Sequence, residues 1–96
     1  MRINLSKNIK TDVINNMELN PKGNILATIQ RNFSTTSSKF KYSLVLYEAK
    51  SLQEISSISI YETYEEITHK IKFSPASNLI AISTKHFMNL YRYSSA

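Results

Sequence analysis

Two histidines, seven carboxylates and six tyrosines are the side chains of this sequence with acid–base chemistry to offer. His69 stands between Thr68 and Lys70, and His86 in the turn-like stretch Thr84-Lys85-His86-Phe87. Neither has a carboxylate or a second ligand at a motif spacing, so each reads as a strand-face or turn histidine rather than a general base or metal ligand. Glu62, Glu65 and Glu66 make an acidic stretch without the spaced oxygen ligands of a calcium loop, and read as a solvated connection. Gly23 is the only glycine, which leaves no phosphate-cradling or dinucleotide motif. Cysteine is absent, and with it disulfides, thiolate metal sites and thiol nucleophiles. The expectation is a non-enzyme with no catalytic residue, metal site or cofactor.

Contact chemistry is better represented. Arg31, Phe33, Lys39, Phe40 and Lys41 bracket the polar run Ser34-Thr35-Thr36-Ser37-Ser38. Aromatic side chains beside cations are common interface anchors, so these five residues are the candidate partner-binding site. The Ser/Thr run could accept phosphate, but a plain flexible loop accounts for it as well. Most of the tyrosines (42, 47, 61, 64, 91 and 93) fall at strand positions, where aromatic residues pack, and so do not make a base-stacking platform.

The elements that carry these residues are short. The chain has 96 residues, 42% hydrophobic and 20% charged, which fits one small folded domain rather than a disordered tail. No apolar run approaches transmembrane length, and MRINLSKNIK lacks the apolar core of a signal peptide. A soluble intracellular protein, cytoplasmic or nuclear, is the expectation. The formal charge of +5 permits attraction to nucleic acid or acidic partners but forms no concentrated basic tract.

Apolar runs bounded by turn residues predict strands throughout. They are Arg2–Leu5, Val13–Leu19, Ile25–Ile29, Tyr42–Tyr47, Gln53–Tyr61, Ile71–Phe73, Leu79–Ile82 and Met88–Tyr91. In Gln53–Tyr61 the isoleucines break period two, which calls for a bulge or a helical turn. The stretch 31–41 is expected to project as a loop. Setting Pro21 on Pro75, an offset of 54 residues (75 − 21), aligns Met17, Leu19, Ile25, Leu26 and Ala27 with Ile71, Phe73, Leu79, Ile80 and Ala81. Beyond the insertion, Leu46-Tyr47 aligns with Leu90-Tyr91 at an offset of 44 (90 − 46). Gly23 is expected at positive φ. Ser77, at the aligned position, is expected to hold negative φ or to accept strain.

A repeat of this length, with four short strands per unit, resembles the WD40 repeat of β-propellers. Leu19-Asn20-Pro21-Lys22-Gly23-Asn24-Ile25 and Phe73-Ser74-Pro75-Ala76-Ser77-Asn78-Leu79 look like that family's first strand, tight turn and second strand. Leu46-Tyr47-Glu48 and Leu90-Tyr91-Arg92 stand where the family carries its Trp-Asp dipeptide, with Tyr in place of Trp and Glu or Arg in place of Asp. The family's Gly-His dipeptide is missing. The resemblance implies an all-β fold: two four-stranded antiparallel blades across 1–96. Repeat 1 spans about 1–50 with the inserted loop 31–41, and repeat 2 about 51–96. It also implies a protein–protein interaction scaffold within a larger assembly, or alternatively a nucleic-acid-associated propeller component using its basic surface. Two blades leave two apolar faces open, so further blades, other copies or a partner chain are expected to complete the array.

Overall fold

β-Branched and aromatic runs become seven strands in the computed structural model, which describes residues 1–94. They are β1 (Val13–Leu19), β2 (Ile25–Ser34), β3 (Lys39–Glu48), β4 (Glu54–Thr63), β5 (Lys70–Phe73), β6 (Leu79–Ser83) and β7 (Met88–Arg92). No helix occurs among the described residues. The first four strands form one antiparallel sheet in the order β1-β2-β3-β4, and the last three a second in the order β5-β6-β7.

Three expectations change. The architecture is one four-stranded and one three-stranded sheet, not two four-stranded blades, because Arg2–Leu5 joins no sheet. The stretch 31–41 is not a loop. The β2–β3 ladder runs unbroken from Ile25↔Glu48 to Ser34↔Lys39, and Thr35–Ser38 alone make the turn. The second hairpin ends at the pair Ser83↔Met88, also with four turn residues, and that pair aligns with Ile29↔Leu44. The ten-residue difference between the copies is therefore five extra cross-strand pairs, from Gln30↔Ser43 to Ser34↔Lys39. Finally, β4 lies in the second sequence repeat yet completes the first sheet, so repeat and sheet are out of step. Positions 95–96 of the second repeat lie outside the described residues.

β4 resolves the isoleucine pattern with bulges and not with a helical turn. Its pairing with β3 slips at Ile55 and again at Ile60, so that the consecutive residues Ile60 and Tyr61 both pack against the core, while Ile58 stays half exposed. That core joins Ile25, Ala27, Ile29, Tyr42, Leu44 and Leu46 of the first sheet to Ile71, Phe73, Ile80 and Ile82 of the second. Each buried aliphatic side chain there contributes about 1.5–3 kcal/mol. The sheets approach most closely at β1 and β5. On the opposite side β4 and β7 flank a groove lined by Leu44, Leu46, Ile55, Ile58, Ile80 and Tyr91.

The sequence repeat is reproduced bond for bond at the β1–β2 and β5–β6 turns. Asn20 N donates to Ile25 O and Gly23 N to Asn20 O, both at 2.9 Å. Ser74 N to Leu79 O and Ser77 N to Ser74 O repeat them at 2.9 Å. Asn20 Oδ1 accepts from the backbone N–H groups of Asn24 and Ile25, and Ser74 Oγ accepts from those of Asn78 and Leu79. Beyond the insertion, Ala49 N donates to Asn24 O and Tyr93 N to Asn78 O, each at 3.0 Å. Both turns need a left-handed residue: Gly23 has φ 75° and Ser77 φ 60°. Ser77 thus accepts the strain, and its buried hydroxyl has no hydrogen-bond partner.

The turns therefore respond in opposite directions. Gly23→Ala is expected to lower unfolding free energy by about 1 kcal/mol through backbone strain alone, since a Cβ there meets no atom within 4 Å. Ser77→Gly removes the same strain and the orphaned hydroxyl, and is expected to raise stability by about 1 kcal/mol. Urea midpoints at unchanged slope measure both.

Candidate functional site

Period-two alternation decides which of the five anchor candidates meet. Arg31 and Phe33 on β2 stand opposite Tyr42 and Phe40 on β3, so all four side chains share the face that forms the core nearer the base of the hairpin. The rings of Phe33 and Phe40 pack at 5.0 Å between centroids, and the Arg31 guanidinium lies 5.2 Å over the Phe40 ring. Arg31 also pairs with Glu66 at 3.5 Å. Phe40 reaches the core, while Phe33 remains 49% exposed. Lys39 and Lys41 alternate to the other face, where Lys41 is in register with Glu62. Lys39 still places its ammonium 5.1 Å over the exposed Tyr64 ring. The structure thus assembles Arg31, Phe33 and Phe40 into one ledge on a hairpin arm and sets the two lysines apart from it.

A second cluster lies inside, where the sheets meet. β1 carries a bulge at Asn15, between the paired residues Ile14 and Asn16. The extra residue turns Asn15 toward His69, just before β5. Asn15 Oδ1 accepts from the His69 backbone N at 3.2 Å and lies 3.0 Å from its Nδ1. Since the oxygen can only accept, Nδ1 carries the proton and Nε2 is left as an acceptor. Asn16 Nδ2 donates to the His69 carbonyl at 2.7 Å. Tyr42 closes the cluster: its ring packs 4.5 Å from the imidazole, and its hydroxyl accepts from Ile67 N at 2.9 Å. Tyr61 stacks on Tyr42 and meets Phe87 edge-on.

His69 is fully buried, and its Nε2 has no partner. Burial holds its pKa below the ordinary imidazole value, partly offset by the Ile67 backbone carbonyl. The Tyr61 hydroxyl is also buried without a partner. Burial raises its pKa, with smaller contributions from Tyr42 and Glu65. Through Asn15 and Asn16 this cluster joins the two sheets. His86 lies instead on the surface, 3.9 Å from Glu65, which also sits 4.0 Å from Lys85. Glu62, Glu65 and Glu66 do not converge. Among the described residues no group of three or more His, Asp and Glu side chains does. Sequence reading passed over Asn15, Asn16 and Tyr42. Two consecutive asparagines inside an apolar strand, where Asn is disfavoured, were the available sign of a bulge.

The buried imidazole makes stability depend on pH. Above the unfolded pKa of about 6.5, both states are neutral at this position and its stabilisation is fully present. As pH falls below that value the unfolded chain takes up a proton that the folded chain resists, so stability declines. Unfolding free energy is expected to fall between pH 7 and 5.5. His69→Phe should remove that slope and His86→Gln should retain it, as read by urea denaturation across the range.

Comparison with known protein families, with curated proteins and with solved structures finds no match to this chain.

Proposed function

We propose that the chain is a non-catalytic protein-interaction scaffold, a segment of a WD40-like propeller acting within a larger assembly. The observation that carries this reading is how the two sheets stack. The first sheet buries the face of Ile25, Ala27, Ile29, Leu44 and Leu46. The second buries Ile71, Phe73, Ile80, Ile82 and Tyr91, which align with Met17, Leu19, Leu26, Thr28 and Tyr47. Those five stand on the opposite face of the first sheet, by their register with β2 and β3. The front of one sheet therefore meets the back of the next, the relation that propeller blades bear to their neighbours.

Stacking of this kind leaves one front and one back with no sheet against them, although Lys7–Thr11 lie beside the first sheet's outer face, where Thr28 and Tyr47 are buried. Met17 and Leu19 are exposed on the outer face of the first sheet, and Met88 and Leu90 on that of the second. Apolar side chains grouped on sheet faces mark interaction surfaces. The hairpin arm adds a separate contact, with Phe33 as anchor and Arg31 as its oriented cation. No helix among the described residues is long and apolar enough to cross a membrane. The scaffold reading places the chain inside the cell, in cytoplasm or nucleus.

The arm gives the test. A binding protein retained by the immobilised chain is expected to be lost on Phe33→Ala and weakened on Arg31→Ala. The fold should lose only about 1 kcal/mol with the aromatic pair. Retention should survive raised salt and nuclease treatment. Binding that collapses with salt and is abolished by nuclease would replace the scaffold reading with the nucleic-acid one.

A further inference from the structure

Tyr64 is the one tyrosine that no part of the fold takes in. Tyr42, Tyr47, Tyr61, Tyr91 and Tyr93 are buried or half-buried, in strands or next to β7. Tyr64 is 69% exposed and lies in the irregular stretch between β4 and β5. The last ladder pair before it is Phe40↔Thr63, and the next strand begins at Lys70. Between them the backbone is fastened at Ile67, by the Tyr42 hydroxyl, and at His69, by Asn15 and Asn16. Residues 64–66 belong to no ladder, so this segment can be drawn into a partner's groove without unpairing a strand.

Its neighbours are charged in a pattern set by the register. Glu62, Glu65 and Glu66 flank it in sequence. Lys41 stands opposite Glu62, and one step beyond the last pair Lys39 comes opposite Tyr64. The two lysines share the face of the arm away from Phe33. Lys41 thus faces a carboxylate. Lys39 faces a ring, with its ammonium 5.1 Å from the centroid, and makes no ion pair among the described residues. The row lacks one anion, and the Tyr64 phenol oxygen is the atom that could carry it. We propose that Tyr64 is a phosphorylation site whose phosphate is held by Lys39 and Lys41 of the hairpin arm.

In that reaction the Tyr64 oxygen bonds to the γ-phosphorus of MgATP while the bond to the departing ADP breaks. The phenolic proton passes to the kinase's catalytic carboxylate. The acidic flanks call for a tyrosine kinase whose peptide groove is basic. The product carries a charge of about −1.5 to −2 at neutral pH and three strong acceptor oxygens. Lys39 meets it from directly across the strand pair and Lys41 from the diagonal position. Charge-assisted hydrogen bonds then take the place of a cation–π contact. Repulsion from Glu65 and Glu66 opposes the gain, but both carboxylates are exposed and screened by solvent. The phosphate fastens the arm to the connection on one face and leaves Phe33 open on the other. This needs the arm's geometry and not the identity of its partner, so it stands apart from the scaffold reading.

The test uses the full chain, folded, with MgATP and a tyrosine kinase of acidic preference, followed by peptide mapping. Phosphate is expected on Tyr64 and not on Tyr42, Tyr47 or Tyr61. Glu65→Lys with Glu66→Lys should slow incorporation about tenfold or more. Phosphorus NMR of the modified chain then reads the second ionisation of the phosphate, ordinarily near pH ~6. A nearby cation favours the dianion, so Lys39→Gln should raise that pKa by about half a unit. Lys50→Gln, at the other end of β3, should leave it where it was. Failure to incorporate phosphate, incorporation spread over the buried tyrosines, or a rate indifferent to the charge reversal overturns the site. A titration that Lys39→Gln does not move overturns the arm's hold on the phosphate. Neither result touches the arm's own partner-binding test.

Discussion

The two sheets share no backbone ladder, so their relative placement depends on the contact between a bulged strand and one histidine. Apolar burial is strong but non-directional. It draws the sheets together without fixing how one is turned on the other. The His69 backbone lies before β5, outside any ladder, and its N–H and C=O still need partners. Asn15 and Asn16 supply them from β1, one on each side of the peptide. The bulge is what lets consecutive residues of one strand both face the second sheet. Tyr42 fastens the neighbouring connection through Ile67. A neutral, buried imidazole is the consequence of this joint, since Asn15 offers it an oxygen and no charge.

Much of this was legible in the sequence, and the failures have physical causes. The strands of the two tight turns and of β7 could be read because β-branched runs stand between Pro, Asn and Ser signals. The repeat survived because both turns need the same hydrogen bonds, even where Asn20 is replaced by Ser74 and Gly23 by Ser77. The arm was misread because Ser and Thr dominate its tip. Yet Arg31, Phe33, Phe40 and Tyr42 alternate at period two on either side of four residues, a hairpin pattern with an aromatic cross-strand pair at its end. Arg2–Leu5 has a strand's alternation and no strand's partner, and pairing is a property that no local pattern contains. The placement of Lys39 and Lys41 away from the arm's ledge follows from the same pleat.

The polar side chains buried among the described residues are Asn20, Thr28, Gln30, His69 and Ser77. Most of their polar atoms answer one another or the backbone, while the Ser77 hydroxyl and His69 Nε2 have no partner. Gln30 donates to Thr28 and to the Tyr47 hydroxyl, and Thr28 donates to the Val45 carbonyl. Cations and carboxylates lie at the surface on strands and connections alike, where solvent screens them. A fold does not dictate a function. In the scaffold reading proposed above, shape, apolar area and oriented rings are the means of recognition.

The hairpin arm differs from its counterpart only by whole cross-strand pairs, and that sets how it can vary. Five extra pairs at about 3.4 Å per residue extend it by about 17 Å. Lengthening or shortening by two residues, one from each strand, moves the tip outward or inward and exchanges the outward and inward faces at the end. Steps of four restore the original facing. An odd change has no such solution, and must be absorbed by a bulge or a different turn. The reach of the arm is thus a graduated quantity. Insertions and deletions can adjust it in discrete increments, while the sheet beneath keeps its register.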